Sequence, residues 1–173
     1  MKKAAVCLSV LLSLVIITAS RGNSQFKPGA IDTVRLTDKD IPVGFMYGTV
    51  PPPYKKTLKD NPWTMDKPAI KRTAGLIYPG GDYTKIDSIH VSIIAEKGKP
   101  YGDDIVCYVI LYTNMKAAQE EIRKANEFAG FNSDRVLVLT RDNLAVILFV
   151  DDIANFHYIQ ELAKTLGERI KGL

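Results

Sequence analysis

Two segments, residues 104–112 (DIVCYVILY) and 143–150 (NLAVILFV), are apolar at both odd and even positions. Successive side chains of a strand point to opposite faces, so a strand of this composition leaves neither face to water. In the first segment Cys107, Val109 and Leu111 alternate with Val106, Tyr108 and Ile110. Any sheet that contains these strands must be covered on both sides.

The remaining C-terminal sequence supplies the rest of such a sheet. Residues 85–94 (KIDSIHVSII) alternate, with Ile89, Val91 and Ile93 on one face and Ser88, His90 and Ser92 on the other. The turn-rich EKGKPYGD joins this strand to DIVCYVILY as a hairpin. Residues 114–129 then change to a helical period, with Met115, Ala118, Ile122, Ala125 and Ala129 on one stripe. Thr113 or Asn114 caps its start and Gly130 its end. RVLVLT and NLAVILFV form a second, tight hairpin around RDN. A last helix carries Phe156, Ile159, Ala163, Leu166 and Ile170 inward, capped by Asp151 or Asp152.

The order β-β-α-β-β-α over residues 83–173 predicts an α+β fold, a two-layer sandwich of antiparallel sheet with both helices on one face. The double-sided strands then require the other face to meet the N-terminal segment 21–82, a partner chain or a ligand. In that segment TVRL and GFMYGTV read as short strands, with Thr37 capping a helical turn between them. PAIKRTAGLIY reads equally as strand or helix, and YPGGDY is turn chemistry.

Residues 1–20 have the layout of a secretory signal. Lys2 and Lys3 precede an apolar run from Ala4 to Ile17, and Thr18-Ala19-Ser20 offers a cleavage site. The run is short for a bilayer span of roughly 20 residues. The expectation is one exported α+β domain over residues 21–173, in the periplasm or outside the cell, tied to a membrane only if the signal stays uncleaved. The chain carries 23 Lys and Arg against 19 Asp and Glu, a net +4 to which Lys2 and Lys3 contribute two. A residual +2 is too little for a general nucleic-acid binder, which needs a clustered basic face.

Catalytic and metal patterns are lacking. Cys107, the one cysteine outside the signal, sits in an apolar strand and reads as a small core hydrophobe. His90 and His157 have no metal-ligand spacing, and Asp103-Asp104 and Asp151-Asp152 read as a turn and a helix cap. No cofactor or metal is expected.

The unusual stretch is 55–72, KKTLKDNPWTMDKPAIKR, which places the sole tryptophan in a basic, proline-broken link after PPP. A link this long is a packed cover, a recognition loop or a mobile segment. As a cover, Trp63 and Met65 fold back on the sheet. As a recognition loop, Trp63, Tyr54, Lys55 and Lys56 meet a partner. Seven of the eight tyrosines fall between Tyr47 and Tyr112, and Tyr108 and Tyr112 are candidates to line an aromatic contact face.

The function expected from sequence is a non-enzymatic binding domain of the bacterial envelope. It would use the sheet face opposite the helices and the 51–68 loop, with another envelope protein or a small amphipathic or anionic ligand as partner. A homodimeric scaffold is the alternative. A small periplasmic hydrolase using carboxylates or His90 is a weaker one.

Overall fold

The computed structural model of the protein describes residues 25–173, Thr57 excepted. The signal-like segment 1–20 lies outside the described residues. The elements run in the order α1 (Gly29–Val34), β1 (Phe45–Tyr47), β2 (Trp63–Thr64), α2 (Lys67–Ile77), β3 (Ile86–Glu96), β4 (Ile105–Tyr112), α3 (Met115–Phe131), β5 (Val136–Arg141), β6 (Leu144–Val150) and α4 (Phe156–Gly172). All six strands join one antiparallel sheet in the order β1-β3-β4-β6-β5, with β2 also on β3.

The α+β sandwich and the β-β-α-β-β-α order of its core are as the sequence predicts. The distribution of the helices is not. Odd-numbered residues of β4 (Ile105, Cys107, Val109, Leu111) pack with Ile159, Leu162, Leu166 and Ile170 of α4 and with Ile31 and Val34 of α1. Even-numbered residues (Val106, Tyr108, Ile110, Tyr112) pack instead with Ala69, Ile70, Ala74 and Ile77 of α2 and Ala117, Ala118 and Ala125 of α3. The two long C-terminal helices therefore lie on opposite faces. The double-sided strands explain this: with α2 and α3 side by side on one face, the other face is left for α4 to bury.

Local sequence explains the boundaries. Asn114 Oδ1 accepts from Ala117 N at the start of α3, and Asp66 Oδ1 from Ala69 N at the start of α2, both 2.9 Å. PAIKRTAGLI, ambiguous in sequence, is helical because this cap and Pro68 in the first turn favour it. TVRL is not a strand: Thr33 and Val34 end α1, which buries Ile31 and Val34 at helical spacing. In GFMYGTV only Phe45–Tyr47 pairs with β3. Gly81 lies so close under α2 that a Cβ there would stand 2.3 Å from Ala74 O.

Two polar anchors tie the periphery to this core. Asn143, fully buried in the β5–β6 turn, binds Tyr112 O and both backbone groups of Phe26. Glu121 of α3, also fully buried, accepts from Tyr78 Oη (3.1 Å), Asp82 N (2.9 Å) and Lys124 Nζ (2.7 Å). Both satisfy the rule that buried polar groups need partners.

Candidate functional site

The 48–66 segment is a strap along the free edge of β3. β1 pairs with one end of that strand, Tyr47 opposite Ile94, and β2 with its middle, Trp63 opposite Val91. Between them the ladder is completed by a side chain. Asn61 Oδ1 accepts from Ile93 N (2.7 Å), while its Nδ2 donates to Ile93 O (2.6 Å) and Gly48 O (2.7 Å). The amide thus imitates the backbone of a missing strand residue. Arg72 of α2 donates to Lys56 O and holds the strap from the other side.

This strap leaves one end of the α2/α3 face incompletely covered. Two hollows lie there. The first, of about 370 Å³, is lined by residues that include Val50, Pro51, Leu58, Asn61, Ile93, Tyr101 and Asp103. The second, of about 250 Å³, is formed by Leu76, Ile77, Asp103, Val106, Tyr108, Phe149, Val150 and Asp151. They share Asp103, and their floors meet where Ile93 pairs with Val106 and Val106 with Phe149 across three strands. Ile93, Val106, Tyr108 and Phe149 are each only partly buried, and Leu76 above them is 79% exposed. Tyr108 and Phe149 meet edge to face at 5.8 Å, and Phe128 adds a third ring 6.1 Å from Phe149. The Tyr108 phenol is pushed up to about 12 by burial and, secondarily, by the Asp103 charge.

The residues singled out in the sequence divide. Trp63 and Tyr108 lie on the same face in one cross-strand row, with Val91 between them. Trp63 is half-buried against the α2/α3 core, with Lys59 Nζ 5.7 Å from its ring centre, and Met65 is buried beside it. Covering and partial exposure are thus combined in one residue. Tyr112 faces inward: it is fully buried, with its hydroxyl 3.3 Å from that of Tyr78, and it reaches no surface. Its position at the far end of β4 puts it under α2 and α3. Tyr54 closes a short 3-10 turn, Pro52–Tyr54. Lys55 and Lys56 follow it with exposed side chains, and neither lines a hollow. The expected contact face opposite all the helices does not exist, because each face carries helices; the opening is the strand-end groove. Leu58, Ile93, Val106 and Phe149 belong to this groove; the apolar parity of β3, β4 and β6 signalled the last three, and Leu58, which lies in the strap, carried no such signal.

The histidines are separated from it. His90 points to the opposite, α1/α4 side, 2% exposed, with Nδ1 2.9 Å from Thr64 Oγ1 and Nε2 unpartnered. Burial first, and the nearby Arg35 cation second, push its pKa down to about 4, so the ring is neutral. His157 is exposed on the first turn of α4 against Tyr158. Cys107 is buried in the same core as α4, its thiol pushed up to about 12 by desolvation. No group of three or more His, Cys, Asp or Glu among the described residues could hold a metal ion, and no described helix is long and apolar enough to cross a membrane. The groove presents aromatic and aliphatic side chains with an acidic rim of Asp103 and Asp151. No family model, no curated protein and no solved structure matches the chain.

Proposed function

We propose that this chain is an exported binding domain of the bacterial envelope, non-enzymatic, whose contact site is the strand-end groove beside the 48–66 strap. The observation that carries the reading is the groove itself. Four partly exposed apolar side chains, Ile93, Val106, Tyr108 and Phe149, stand side by side on a rigid sheet, with Leu76 exposed above them. Clustered apolar and aromatic side chains at a concave surface are the usual form of a recognition site. Export is supported by the signal-like layout of residues 1–20. Trp63 packs on the core beside the groove and is not among the described residues that line either hollow, so this reading assigns it to the cover.

The test is native mass spectrometry of the mature protein purified from its own envelope fraction, compared with a Val106→Glu variant. The reading expects a reproducible added mass on the wild type that the variant loses while keeping its far-UV circular dichroism. A bare wild-type monomer would overturn it. A clean dimer that survives Val106→Glu would place the contact elsewhere and favour a homodimeric scaffold.

A further inference from the structure

The groove has a sign as well as a shape. Among the described residues, every charged one that lines either hollow is an aspartate: Asp103 in both and Asp151 in the second. Neither carboxylate has an ion pair or a side-chain hydrogen bond among the described residues, whereas their sequence neighbours are engaged. Asp104 accepts from Glu96 N and Asp152 from Ala154 N. The acidic pairs are thus split, one member of each holding backbone and the other free at the groove. Among the described residues no Lys or Arg lines the hollows, although the 55–72 stretch is rich in them.

The floor also has a length. Ile93, Val106 and Phe149 are register partners on three adjacent strands, which spans roughly 10 Å, the reach of about three extended residues. A lone cation would leave this apolar row uncovered, and a neutral lipid chain would leave two carboxylates partly desolvated without a partner.

Resting on the binding reading above, we infer that the groove's occupant is a short extended segment of a partner protein that carries bulky apolar side chains flanked by Lys or Arg. The apolar side chains lie on Ile93, Val106, Tyr108 and Phe149, and the cationic groups pair with Asp103 and Asp151. Electrostatic complementarity of this kind sets specificity and association rate.

The experiment uses a random 12-residue peptide library displayed on phage, selected against the mature protein. Enriched peptides are synthesised, mapped by amide chemical-shift changes, and titrated against wild type and the Asp103→Asn/Asp151→Asn double variant. Both carboxylates are exposed and unpartnered, so the variant is expected to keep the wild-type melting temperature. The expected result is enrichment of Lys or Arg beside Leu, Ile, Phe or Trp, shifts centred on Val106 and Phe149, and affinity reduced at least tenfold in the double variant. Peptides that map to the groove but lack basic residues, or bind the double variant equally, would overturn the cationic assignment and leave the groove standing. Peptides that map elsewhere, or no enrichment at all, would overturn both.

Discussion

Replacing Asn61 by Ala tests how the strap is held. The side chain makes three hydrogen bonds of 2.6–2.7 Å with the backbone of Gly48 and Ile93. Ile93 O keeps a second donor, Gly48 N at 3.0 Å, so its loss is small. Ile93 N and Gly48 O are left without the partner they have in the wild type. An unsatisfied, partly buried backbone group costs about 1–1.5 kcal/mol, so Asn61→Ala is expected to cost about 2–3 kcal/mol. For a domain of this size that lowers Tm by about 5–10 °C. Asn61→Asp separates the mechanism from simple loss of packing. A carboxylate still accepts from Ile93 N but faces two carbonyl oxygens, so at neutral pH this variant falls below Asn61→Ala. Those oxygens raise the carboxyl's folded-state pKa above its unfolded value. The folded state then binds more protons in the window above about pH 4, and the variant regains stability as pH falls. Urea unfolding followed by Trp63 fluorescence and by far-UV circular dichroism measures both. An Asn61→Ala within about 0.5 kcal/mol of wild type, with Asn61→Asp no worse, would refute the claim that this amide completes the ladder.

His90 gives a pH signature. Its folded pKa of about 4 lies below the ordinary imidazole value of 6.5, so between these values the unfolded chain binds a proton that the folded one refuses. Its contribution is intact above about pH 6.5 and is lost as pH falls toward 4, by at most about 3 kcal/mol. Unfolding free energies across that range should show the slope in wild type and not in His90→Gln, and an unchanged slope would disprove the neutral, buried ring. Cys107, with its thiol pushed up to about 12 and its side chain closed under α4, should resist a disulfide reagent in the native state and react at once in urea. Prompt native labelling would show that this core opens.

The need for cover on both faces was legible in residues 104–112 and 143–150, because strand geometry alone sends alternate side chains to opposite sides. The hairpins, the two long amphipathic helices and the Asn114 cap were legible for the same reason: turn chemistry, period and capping are local. The face each helix chose was not. Burial of apolar area is non-directional, so the stripe of α4 satisfies either side equally until α2 and α3 occupy one. Trp63 was visible as an anomaly, but its place beside Val91 depends on pairing with a strand 28 positions away. Asn61 carried no signal at all, since its role exists only where β1 and β2 leave a gap on β3. The groove likewise belongs to the tertiary structure. Leu58, Ile93, Val106 and Phe149 are apolar residues like any others in the sequence, and only the ends of the covering elements decide which of them stay open.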